Sequence, residues 1–151
     1  MTSKHDVAKA LNTYAEKKAL KASQTKDKIG RVTTELRQAF QLINRWVYLI
    51  EGLRPEEVAA DTHLVVGDKQ TGWTALVLNF ADTKIVFEPV LKGDHLFLRV
   101  DWRYQDEPKI WLKLNDSLFQ AYSESGERHL GIVEEDDLLN EIIRIAYSRA
   151  L

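Results

Sequence analysis

The chain has no cysteine, so disulfides, a thiolate nucleophile and cysteine-ligated zinc or iron–sulfur centres are excluded outright. It also has no apolar run approaching the ~18 residues that a membrane helix needs. Its first residues lead into alternating alanine and lysine rather than an apolar leader core, so the expected address is the cytoplasm, with no membrane partner. Glycine is sparse, and Gly67, Gly72 and Gly93 are separated by strand-like sequence. Neither a dinucleotide fingerprint nor a phosphate loop can be assembled from them. The four histidines, His5, His63, His95 and His129, never fall at a ligand spacing such as H-x-x-x-H. Ser123-Glu124-Ser125-Gly126 is loop sequence rather than a nucleophile elbow. No catalytic residue, metal or cofactor is therefore expected. Asp61 with His63, and Asp94 with His95, are the nearest approaches to an acid–base or metal pair, and each reads as a turn feature.

What is present is an ordinary globular composition, 44% hydrophobic and 29% charged over 151 residues, enough for one domain with one core. The net charge is −2 but its sign divides along the chain. Residues 1–54 hold 11 Lys/Arg against 5 Asp/Glu, a net of +6, while residues 55–151 hold 10 against 18, a net of −8. Because the basic residues are scattered, docking of the helical part on its own acidic half explains this better than a nucleic-acid arm does.

Residues 1–54 read as helical. A start at Ser3 with Asp6 opens a segment to about Ala22 whose apolar face is thin: Val7, Leu11 and Tyr14 beside Ala8, Ala15, Ala19 and Ala22. Such a helix packs loosely or reaches onto a neighbour. The polar stretch Ser23–Gly30 predicts a kink or break. A second helix follows, with Ile29, Val32, Leu36, Ala39, Ile43, Trp46 and Ile50 at alternating spacings of three and four, and Phe40, Leu42, Val47 and Leu49 around the rest of its circumference. Gly52 is its expected stop, and Pro55 with Glu56 and Glu57 is expected to open a short helical turn.

From Thr62 the period changes from 3.6 to 2, and turn signals at 68–72, 81–82, 93–94, 106–108, 115–116 and 123–127 delimit about six strands over residues 62–130. Connections this short require an antiparallel meander. Glu134 to Asp137 then precede an amphipathic helix over residues 134–150. The fold expected is α+β: N-terminal helices, a six-stranded antiparallel meander, and a C-terminal helix packed with the second helix on the Leu76/Phe87/Leu98/Leu112 face.

Turn lengths fix a register. A Gly93-Asp94 loop sets Glu88 opposite Arg99, and an Ala81-Asp82 loop puts Leu76, Leu78 and Phe80 in the core. A loop at 106–108 sets Asp101 against Lys113 and Arg103 against Trp111. The opposite face then carries Trp73, Ala75, Val77, Val86, Val90 and Phe97, and further along Arg99, Asp101, Arg103, Lys109, Trp111, Lys113, Gln120 and Tyr122. Apolar patches of that size are rarely left bare, so a cover is expected: the N-terminal helix, a second copy or a ligand. Trp73, Val77, Val86, Phe97, Arg99, Arg103, Lys109, Trp111 and Tyr122 are the candidate binding residues.

Three functions compete. The leading one is a non-catalytic module that forms a homo-oligomer or binds a protein partner. The alternative is a small-molecule site, open to catalysis, between the N-terminal helix and the Trp73/Val86/Phe97 face. The third is weak nucleic-acid binding through the basic N-terminal part, with Phe97, Arg103, Lys109, Trp111 and Tyr122 as a stacking platform. The charge pairing of that face and the lack of an RNP-like string count against nucleic acid.

Overall fold

The computed structural model describes residues 2–60, 64–66 and 69–151, with side chains described for 2–60 and 72–151. The expected Asp61–His63 pair, the strand start at Thr62 and the Asp68 side of the first turn lie outside the described residues.

The N-terminal third is one helix, α1 (Lys4–Trp46), 43 residues long, started by a capping box in which Ser3 and Asp6 bond each other's backbone N–H. The break expected at Ser23–Gly30 does not occur. A single glycine costs ~1 kcal/mol against alanine, too little to interrupt a helix whose other residues propagate well and whose far end is anchored in a core. The hydroxyls of Thr25 and Thr34 donate to the carbonyls of Lys21 and Gly30 across this stretch, 3.0 and 2.9 Å. Only the second half of α1 is buried, through Val32, Leu36, Ala39, Phe40, Leu42, Ile43 and Trp46.

The chain then turns through Leu49, whose φ is +61°, into β1 (Arg54–Ala59), where a helical turn was expected. All six residues of β1 are exposed, so no alternation announced the strand. Pro55 is tolerated because β1 is an edge, where a missing N–H need cost no ladder bond. A separate hairpin of β2 (Leu64–Val66) and β3 (Lys69–Thr71) lies against α1 and β5. The main sheet continues with β4 (Thr74–Phe80), β5 (Thr83–Lys92), β6 (His95–Val100), β7 (Ile110–Asn115), β8 (Leu118–Ser123) and β9 (His129–Val133). Its order is β1-β4-β5-β6-β7-β8-β9, every neighbour antiparallel. It is thus an open meander of seven strands rather than six, the additional one being β1. Helix α2 (Glu135–Ala150) closes the chain.

The registers of the first two hairpins are as expected. Leu76 faces Phe87 across β4 and β5, and Glu88 faces Arg99 across β5 and β6. Ala81 and Asp82 both have positive φ, +50° and +57°, which gives the two-residue turn the twist of its strands. The β6–β7 pairing differs. Arg99, not Arg103, faces Trp111, and Val100 faces Ile110, a displacement of four residues from the expected alignment. Residues 101–109 leave the ladder because Trp102 buries its ring, 4% exposed, and Tyr104 and Glu107 close their own tight turn through reciprocal backbone bonds of 3.0 and 2.9 Å. The expected Asp101–Lys113 and Arg103–Trp111 pairs are therefore absent. Since four is even, every side chain keeps its face and the core is unchanged.

That core joins the second half of α1, Leu138 of α2 and the sheet residues Leu76, Leu78, Phe87, Leu98, Leu112 and Phe119. Both helices thus cover one face. Trp46 meets Phe119 edge to face, centroids 5.6 Å apart, and Arg149 of α2 donates to the carbonyls of Ala81 and Asp82. Where α1 passes the β5–β6 turn, Lys28 pairs with Asp94, and the ammonium holds that carboxyl below its usual range. Among the described residues no helix is long and apolar enough to cross a membrane.

Candidate interaction surfaces

Alternation along the strands sends Ala75 and Val77 of β4, Val86, Glu88 and Val90 of β5, Phe97 and Arg99 of β6, Trp111 and Lys113 of β7 and Tyr122 of β8 to the face away from both helices. Val77 opposes Val86 and Val90 opposes Phe97, which brings these candidates together as one layer. Phe97 is its centre, packed against Trp111 at 5.3 Å and Tyr122 at 5.6 Å between centroids, and Tyr122 continues the row to His129.

The centre of this layer is closed off from water, while Val86, Val90, Trp111 and Tyr122 around it are half-buried. Ala75, Val77 and Phe97 are 3%, 4% and 6% exposed. The β8–β9 loop folds back so closely that a Cβ on Gly126 would lie 3.1 Å from the indole of Trp111 and 3.4 Å from Phe97. Lys113 lays its ammonium 5.6 Å from the Phe97 centroid and donates to Glu35 of α1 at 3.1 Å. Arg99 reaches Glu124 and Lys109 reaches Asp101, each at 3.7 Å. The hollow left between Val86, Glu88, Arg99, Asp101 and Lys109 is only 120 Å³. Over Phe97 and Trp111 the cover comes from this loop, from charge pairs and from Glu35 of α1 through Lys113, while the buried stripe of α1 packs on the opposite face. The indole N–H of Trp111 is buried without an acceptor among the described residues.

Two expected members lie elsewhere. Arg103 is exposed in the 101–109 excursion, removed from the layer by the altered β6–β7 pairing. Trp73 precedes β4, escapes its alternation, and sits 7% exposed in the helix-side core. It floors a groove of 450 Å³ with Leu36 and Phe40, rimmed by Arg37, Asn44 and Glu57. A small-molecule pocket between α1 and Trp73 thus has a physical location, but Val86 and Phe97 have no part in it. A second, more polar groove of 820 Å³ runs between α1 and the β7–β8 turn, past Arg31, Gln38, Arg45 and Asp116.

Among the described residues no histidine is hydrogen-bonded to an acid. His129 bonds Gln120, and His5 and His95 are exposed. Among the described residues no group of three His, Cys, Asp or Glu side chains could hold a metal ion. The Glu134–Asp137 acids cap α2, where Asp137 accepts from the Glu134 N–H at 2.7 Å.

Among the described residues the longest exposed run is one that the candidate residues missed. Every residue of α1 from 4 to 24 is exposed, an arm about 31 Å long at 1.5 Å per residue. Val7, Leu11, Tyr14 and Leu20 are 51–64% exposed along it. The signal was in the sequence: the seam from Ile29 to Trp46 continues backward, in the same three-and-four spacing, through Thr25, Ala22, Lys18, Ala15, Leu11 and Ala8. The arm's apolar stripe is therefore the buried stripe of α1 carried beyond the edge of its own domain. Its lysines do not share a side, since Lys9 and Lys18 point oppositely around the helix.

Searches against protein-family models, curated proteins and solved structures find no match to this chain.

Proposed function

We propose that this chain is a non-catalytic assembly module, an α+β body that holds out a helical arm as its protein-binding element. The observation that carries this reading is the run of 21 exposed residues, 4–24, whose apolar stripe continues the one that builds the core. Most helical stability in proteins comes from packing of an amphipathic face, and a lone stripe of Val7, Leu11 and Tyr14 gains stability from a second surface laid over it. The cysteine-free composition suits a reducing compartment, and the cytoplasm is where we assign it.

Hydrogen exchange along α1 as a function of protein concentration tests the reading. A bare arm exchanges rapidly at every concentration, whereas an arm used for assembly becomes protected as concentration rises. We expect protection of residues 4–24 to increase with concentration while that of Val32–Trp46 stays constant. Rapid exchange of the arm throughout the micromolar range overturns the proposal.

A second reading, small-molecule binding, is favoured by the Trp73 groove, apolar at its floor and carrying Arg37 at its rim. Benzoate, an aromatic ring with a carboxylate to meet Arg37, is a suitable probe. Millimolar benzoate is expected to perturb the Trp73 indole N–H resonance in wild type and not in Arg37→Ala, and an unmoved resonance removes this reading.

A further inference from the structure

Resting on the reading of the arm as the binding element, we propose that its occupant is a second copy of this chain, with the arm of each copy lying antiparallel along α2 of the other. The arm cannot serve its own body. Helix α1 runs uninterrupted to Trp46, so the arm extends away from the domain rather than folding back.

The same chain carries a second unpartnered helical stripe. On α2, Ile143 and Tyr147 are 51% and 73% exposed, one turn apart, with half-buried Leu139 one turn before them. The two stripes are of opposite charge. The arm, residues 4–24, holds five lysines and two acids, a net of +3, while α2, residues 135–150, holds four acids and two arginines, a net of −2. The acids cluster at the start of α2, from Glu134 to Asp137. Two arms laid on one another would instead bring like charge together.

Spacing then selects one orientation. On the arm Val7, Leu11 and Tyr14 come ahead of Lys17 and Lys18, with Leu20 after them, whereas α2 has acids first and apolar residues after. Antiparallel pairing of Leu11 with Ile143 sets Val7 on Tyr147 and Ala15 on Leu139. The same alignment sets Lys18 beside Asp136 and Lys17 beside Asp137. Both sets recur at intervals of four, four and three residues, so each occupies a single helix side. Two-fold symmetry makes this contact twice. The aligned segments, residues 7–18 and 136–147, are each about 18 Å long, and the two-fold axis doubles the area they bury.

Sedimentation equilibrium of the full chain, read together with arm protection, tests this arrangement. Ile143→Asp places a carboxylate in both contacts and is expected to weaken dimerisation by roughly a hundredfold. Lys18→Glu and Asp136→Lys are each expected to weaken it about tenfold, and their combination to restore most of the loss. Added salt should loosen the dimer. All three positions are exposed, so the body stays folded in each variant. If the arm is protected but Ile143→Asp dimerises like wild type, or salt tightens association as repelling arms require, this inference falls and the arm reading stands. An arm unprotected at all concentrations sinks both.

Discussion

Phe119→Ala is expected to destabilise the fold by about 3–5 kcal/mol, the usual cost of emptying a buried aromatic site. Phe119 is 1% exposed on β8, its ring set edge to face against Trp46 where α1 leaves the core. Its strand neighbour Val133 is wholly buried, so the cavity opens where the last two strands and the long helix meet. Two of these walls, β8 and β9, are held by their backbone ladder and cannot collapse onto the gap without breaking register. Against a total stability of roughly 5–15 kcal/mol, the loss is a large fraction, readable as a lowered urea midpoint at unchanged slope. Leu11→Ala, on the exposed arm, is expected to leave that midpoint within ~0.5 kcal/mol under dilute conditions. A comparable fall for Leu11→Ala would mean that the arm is part of the folding core, and a loss below 1 kcal/mol for Phe119→Ala would mean that the site can repack.

Gly131→Ala is the second large effect, expected at about 2–4 kcal/mol because two independent costs coincide. Gly131 follows the bulge at which β9 slips against β8, and its φ of +156° lies in a region that L side chains rarely adopt. A Cβ there would also stand 2.3 Å from the hydroxyl oxygen of Tyr104, a partly buried ring packed on the core. The steric part can be separated from the conformational part. In a Tyr104→Phe background the nearest ring atom is 3.3 Å away, so the alanine should cost about 1–2 kcal/mol less, a coupling that thermal or urea denaturation of the four-variant cycle measures. Additive losses would mean that the backbone conformation alone requires glycine.

The legibility of this chain followed burial. Elements with a face in the helix-side core declared themselves: Leu76/Leu78/Phe80 and Leu96/Leu98/Val100 recur at a period of two on the side that meets the helices. Strand β1 was misread since all of Arg54–Ala59 faces water, leaving only Pro55 and its acids as a signal, and those suit a helix start equally well. The Ser23–Gly30 stretch suggested a break because local propensity is weak there, yet a helix already anchored downstream propagates through weak residues at little cost. Trp73 was assigned to the outer face by counting back from β4, but alternation holds only inside a strand and Trp73 lies outside it.

The candidate site was legible in part for the same reason. Val77, Val86, Phe97, Arg99, Trp111 and Tyr122 do gather on one face, as a period of two requires, and Lys109, just outside β7, joins Val86 and Arg99 around a shared hollow. What covers them was beyond reach, because the return of the Ser123–Arg128 loop over Trp111 depends on the space beside Gly126 and not on any local pattern.

By itself the sequence determined the meander, the two-residue turns, and the element types and core residues of the strands that meet the helices, all products of local periodicity and of turns too short to allow another path. Tertiary structure decided the strand that buries nothing, the β6–β7 alignment and which half of α1 would have a neighbour. A chain's pattern records which residues prefer to leave water, whereas how far a sheet extends beneath a long helix is set by the packing of distant segments, and here it ends before residue 25.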